Sequence, residues 1–109
     1  MRPIPPKLRL KMSEDLFYKS CCLDTPSCGG KIDWHHNLIF AGRQVNEDWC
    51  ILPLCNHCHT NIVRVKEKVD WIMLNRANDS DIQRYSKSIN YSMMKAKLNK
   101  KYGTWNLST

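Results

Sequence analysis

The stretch CGGKIDWHHNLIFAGRQVNEDWCILPLCNHCH, residues 28–59, holds all four histidines of the chain and four of its six cysteines. A structural zinc site needs about four such ligands. With Cys21 and Cys22 just upstream, this region offers ten. A fold organised around a metal is the tightest constraint on the chain, and the surplus of ligands predicts a second use for some of them.

The sharpest spacing is LCNHCH, where Cys55 and Cys58 form a C-x2-C knuckle. A tight turn of this length lets both thiolates reach one tetrahedral Zn²⁺. Cys28 and Cys22, or Cys21 in its place, are the donors expected to complete the set, from the loop before the knuckle's partner strand. Cys50 lies in an apolar run and is expected in the core. A disulfide framework would call for a secretory context, and the N-terminus MRPIPPKLRLKMSED has no apolar h-region. The expected setting is therefore a reducing cytoplasm. No apolar run approaches the length of a membrane span, so no membrane is expected as a partner.

A chain of 109 residues suits one domain. Its net charge of +7 is unevenly spread: residues 1–20 carry +3, residues 21–60 carry −2 and residues 61–109 carry +6. Two basic flanks around a ligand-rich centre point to nucleic acid, because phosphate neutralisation is where clustered Lys and Arg gain most. The densest basic stretch is Lys95, Lys97, Lys100 and Lys101.

Local patterns give an α+β sketch. Residues 1–19 form a basic arm, extended through Pro3, Pro5 and Pro6 to residue 12, then a short helical turn that Ser13 caps. Residues 20–66 form the core. Within it KIDWHHNLIF alternates as a strand, with Ile32, Trp34 and His36 on one side and Asp33 and His35 on the other. AGRQVNED is expected as a polar loop, and WCILPL as a second strand that Pro53 confines to an edge or its end. A helix follows from about Asn56, with Ile62, Val65, Val69, Ile72 and Met73 as its apolar stripe. Residues 67–109 continue as a helical extension. There Ser80 opens a capping box, and Ile82, Tyr85, Ile89, Met93 and Ala96 line one long helix that Gly103 ends. Both stripes are expected in the core, as is Trp105.

If thiolates satisfy a structural zinc, the histidines are left over. His35 and His36 are adjacent on a strand, so their rings face opposite sides. One can bind a metal while the other acts as a base. His59 starts the helix, where its ring can face the hairpin, and His57, inside the knuckle, is expected to be exposed.

The run IDWHHN followed by ILPLCNHCH resembles the HNH endonucleases, the His-Me finger or ββα-metal nucleases. The flanking phrase HHNLIFAGRQVNEDW is similar to small phage- and prophage-encoded members. The resemblance covers residues 20–66. It implies a zinc-stapled ββα-metal core and metal-dependent cleavage of DNA phosphodiesters, in phage or prophage DNA processing or recombination. In that reading His36 is the general base, His35 and His59 hold a catalytic Mg²⁺ or Mn²⁺, and Cys55 and Cys58 belong to the structural zinc site. Arg43, on the loop between the strands, is the expected phosphate contact. The chain departs from the pattern at Cys50, where the family has its Asn; Asn46 or Asn37 is the expected substitute. Val63 stands where some members place a further metal ligand, and Asp33 is the remaining option for a third. The competing expectation is a non-catalytic zinc module that binds nucleic acid.

Overall fold

Three prolines in the first six residues do not keep the chain extended as far as residue 12, as the sequence suggested. In the computed structural model, which describes residues 3–87 and 89–103, Pro5 is an N-cap and Pro6 opens helix α1 (Pro6–Ser13). Proline suits a first helical position, where its missing N–H would have had no helical acceptor. Ser13 ends this helix instead of capping the next turn. That cap is Asp15, whose carboxylate accepts the Phe17 N–H at 2.9 Å at the start of a 3-10 helix, Leu16–Lys19.

Strand β1 (Ile32–His36) is followed by a small hairpin, β2 (Ile39–Phe40) and β3 (Arg43–Gln44). The expected polar loop is thus partly a hairpin. Its turn residues Ala41 (φ 53°) and Gly42 (φ 77°) are both left-handed, as a two-residue turn between twisted strands requires. A 3-10 helix, Asp48–Cys50, then takes up the start of the expected second strand, which is confined to β4 (Ile51–Cys55). β1 and β4 pair antiparallel, from Ile32 opposite Cys55 to His36 opposite Ile51.

β4 is buried on both faces. On one side Ile51 packs with Met12, Tyr18, Ile4, Leu8 and Trp34; on the other Leu52 and Leu54 join the main core under Val69, Ile72 and Met73. Pro53 fits because, among the described residues, its outer edge has no second strand to serve. The Pro53 carbonyl accepts the Cys22 N–H at 2.9 Å.

From Cys55 the chain enters helix α2 (Asn56–Thr60), turns at Asn61 and continues as α3 (Ile62–Arg76), burying Val69, Trp71, Ile72, Met73 and Leu74. The expected single C-terminal helix is two: α4 (Asp79–Tyr85) and α5 (Tyr91–Tyr102). Asn78, not Ser80, caps α4 in a reciprocal box with Asp81, and Asn90 caps α5 by accepting the Met93 N–H. The break takes the expected stripe out of phase. Ile82 and Leu98 are buried, whereas Ile89 is 46% and Met93 60% exposed. Gly103 ends α5 at φ 91°, and its carbonyl accepts Trp71 Nε1–H at 2.9 Å, tying α5 to α3. Among the described residues, no helix is long and apolar enough to cross a membrane. Trp105 lies outside the described residues.

Candidate metal and histidine sites

Four thiols converge where the loop before β1 meets the β4–α2 junction. They belong to Cys21, Cys28, Cys55 and Cys58, and their sulfurs all lie within 4.8 Å of one another. None is in a disulfide. A tetrahedron of Zn–S bonds of about 2.3 Å has S···S edges of about 3.8 Å; Cys28 Sγ lies 3.7 Å from Cys58 Sγ. The set is placed to hold a metal ion such as zinc.

Cys21 supplies the fourth thiol, and Cys22 does not. Cys22 enters a turn that the Asp24 N–H closes on the Cys21 carbonyl at 3.3 Å, so the two neighbouring side chains part. Once the Cys22 N–H is fixed on Pro53, Cys21 faces the cluster and Cys22 packs against the main core. Burial pushes the Cys22 thiol up to about 12, as expected of an inert, protonated side chain.

Local backbone shapes the other three positions. The Cys58 N–H points at Cys55 Sγ at 3.4 Å, so the knuckle thiol also caps α2. The Thr25 N–H does the same for Cys28 Sγ at 3.3 Å. Gly30, at φ 85°, brings the loop against α2 so closely that a Cβ there would lie 2.9 Å from Asn56 Cβ. Electrostatics then ask for a cation. Burial works against the Cys55 thiolate, but the N–H groups of Cys58 and Gly29 and the neighbouring thiols outweigh it and lower its pKa to about 6. Cys58 is driven the other way, by burial and by the thiols around it. Four thiolates cannot share this space without a positive charge between them.

The histidines lie on the same sheet. His35 and Asp33 face α2: the His35 and His59 rings meet edge-on with centroids 5.1 Å apart, and His59 Nδ1 lies 3.4 Å from Asp33 Oδ2. Two imidazoles on one ion, with metal–nitrogen bonds of about 2.1 Å, put their centroids roughly 4.5–5.2 Å apart. The observed ring separation falls in that range. Asp33 sits beside His59 Nδ1 as an acceptor, which favours Nε2 as the His59 ligand atom. Burial, then the neighbouring His59, lowers the His35 pKa and favours the neutral ring a metal needs.

His36 takes the opposite face. Its Nε2 lies 2.7 Å from Asn46 Oδ1, and Asn46 Nδ2 donates to the Pro3 carbonyl at 2.9 Å. The carbonyl decides which way the amide points. Because the amide oxygen only accepts, His36 Nε2 carries the ring proton and Nδ1 keeps its lone pair. Of the two asparagines offered by the sequence, Asn46 thus reaches His36, while Asn37 Oδ1 lies 3.2 Å from His35 Nε2.

Other expected site residues are more loosely placed. Arg43 is exposed on the β2–β3 hairpin, and His57 is exposed on α2. Val63, a turn beyond His59, is 89% exposed and brings no ligand. Cys50 is fully buried in the main core, as expected. On α5, Lys101 pairs with Glu67, which also accepts the Tyr102 hydroxyl. Sequence reading missed Lys66 and Asp70, an i,i+4 pair on α3 whose termini both reach Asn37. Compared with protein-family models, with curated proteins and with solved structures, the chain matches none.

Proposed function

We propose that the chain is a metal-dependent HNH-type endonuclease that hydrolyses DNA phosphodiester bonds. The observation that carries this reading is the contact of His36 Nε2 with Asn46 Oδ1 at 2.7 Å. It leaves one imidazole with an oriented Nδ1 lone pair on a strand whose preceding residue, His35, meets His59. A neutral imidazole near its working pH is suited to take a proton from water. His36 Nδ1 accepts that proton as the water oxygen attacks phosphorus, and the bond to the 3′-oxygen breaks. His35 and His59 would hold the divalent ion, Mg²⁺ or Mn²⁺. When bound, that ion supplies Lewis-acid stabilisation of the phosphate and the leaving oxyanion. Cys21, Cys28, Cys55 and Cys58 would hold zinc and fix the β4–α2 junction, and with it His59. Arg43 and the lysines of α5 are the proposed phosphate contacts. Lys101, already paired with Glu67, should add least of these.

A nicking assay on supercoiled plasmid tests the reading. Cleavage is expected with Mg²⁺ or Mn²⁺, to be absent with chelator, and to fall by about 10²–10⁴-fold in His36→Ala, with DNA affinity retained. Binding should weaken steeply with salt, by about 0.9 log units per phosphate contact. Salt-sensitive binding with no metal-dependent cleavage of supercoiled, single-stranded or branched DNA would replace the nuclease by a non-catalytic zinc module.

A further inference from the structure

Asn37 follows β1 directly, and its N–H closes the ladder on the Cys50 carbonyl at 2.9 Å. The residue is 8% exposed, the only buried amide or charged residue among the described residues. A buried amide is costly unless its polar atoms are paired. Here every partner has a fixed role. Nδ2 donates to Asp70 Oδ1 at 2.8 Å, and to Met73 Sδ at 3.3 Å. Oδ1 receives the Lys66 ammonium at 3.0 Å. An ammonium only donates and a carboxylate only accepts, so the two residues of α3 pin the amide in one orientation. The same Oδ1 lies 3.2 Å from His35 Nε2.

We propose that Asn37 is a positioning residue for the ion-binding pair: it holds His35 in the Nε2–H tautomer, so that Nδ1 is its ligand atom. The inference rests on the proposed reading in taking His35 as a metal ligand. It goes further by assigning the atom and the residue that selects it. A ring nitrogen that donates to a fixed acceptor cannot also offer its lone pair, and the bond sets the rotation of the ring. Without Asn37, His35 would be free to exchange tautomers and turn, although the strand would still present it.

The test uses full-length, zinc-loaded protein. Long-range ¹⁵N–¹H spectra of the histidine rings, before and after titration with Co²⁺, should show wild-type His35 as the Nε2–H tautomer that binds Co²⁺ through Nδ1. Asn37→Ala should give mixed tautomers and a Co²⁺ affinity at this site weaker by about 10–100-fold, with zinc content unchanged. Asn37→Asp keeps the acceptor oxygen and loses the donor. It should retain the tautomer and hold Co²⁺ within about threefold of wild type, a rescue that a purely structural link between β1 and α3 would not give. Wild-type His35 in the Nδ1–H form, no Co²⁺ at His35, or an alanine variant with wild-type tautomer and affinity would each overturn the proposal. If the alanine variant does not fold, the aspartate variant decides: tautomer kept supports the proposal, tautomer lost overturns it. Failure of DNA cleavage with these results intact would remove the nuclease reading and leave the His35 assignment standing.

Discussion

The β1–β4 pair carries two kinds of ligand cluster, built on opposite principles. At the Cys55 end, four thiols from three separate segments crowd within 4.8 Å, and as thiolates they would need a cation between them. Along β1, each of the tandem imidazoles stands beside its own carboxamide, His35 by Asn37 and His36 by Asn46, and needs no ion to stay in place. The thiol cluster closes the structure; the imidazoles rest on a structure already closed. The first should therefore fail as a fold when altered, and the second as a chemical site.

The largest expected effect is Cys58→Ala. Cys58 is buried between the other three thiols, and the binding energy of such a site is largely folding energy. The variant should lose bound zinc and its cooperative thermal transition, read by metal analysis and circular dichroism. A folded, zinc-free variant would move the cysteines back into an ordinary core. Finer discrimination comes from the adjacent pair. Cys21→Ser should lose zinc, while Cys22→Ser should keep one equivalent and melt within about 8 °C of wild type, the shift expected of roughly 1 kcal/mol. The reverse result would mean that the loop holds Cys22, not Cys21, on the metal.

Cys50→Asn would install the carboxamide that the HNH resemblance expects. Because Cys50 is fully buried among Leu52, Leu54 and Trp49, the amide should lower stability by about 1–3 kcal/mol. It should not accelerate cleavage, since Asn46 already engages His36. Denaturant titration and the nicking assay together check this; a faster, equally stable variant would show that the orienting role of Asn46 is misassigned.

Alkaline stability probes the scaffold side of the sheet. The Tyr18 hydroxyl donates between the Asp48 and Ile51 carbonyls, and burial raises its pKa to about 12. The folded chain thus keeps a proton that the unfolded chain begins to release near pH 10. This contribution of Tyr18 to stability should be fully present below pH 10 and fall up to pH 12, by at most about 1.4 kcal/mol per pH unit. Tyr18→Phe should flatten that slope in denaturant titrations. The smallest effect is expected of His36→Ala, whose stability should stay within about 1 kcal/mol of wild type, the net worth of its one hydrogen bond to Asn46. A large loss there would mean that the imidazole side also holds the fold.

Much of this arrangement was legible because it is periodic or local. Alternation along IDWHH put His35 with Asp33 and His36 with Trp34, and the structure keeps that division: His35 meets His59, while Trp34 meets Tyr18. The C-x2-C knuckle and the Gly103 stop depend on a few consecutive residues and were equally readable. The break between α4 and α5 was not, because Ile82, Tyr85, Ile89 and Met93 keep helical spacing across it. The competing caps at Ser86 and Asn90 mark the break.

By itself, then, the sequence determined the α+β class, the alternation of the tandem histidines and the gathering of metal-capable side chains around the knuckle. These follow from backbone period and short-range turns. Tertiary structure decided the partners. Cys21 was chosen over Cys22 by a hydrogen bond to a strand 31 residues away, Asn46 was turned toward His36 by the carbonyl of Pro3, and Asn37 was oriented by Lys66 and Asp70 from α3. In each case the deciding atom lies far along the chain. Which acceptor a polar group meets depends on how whole elements dock, and no local pattern encodes that.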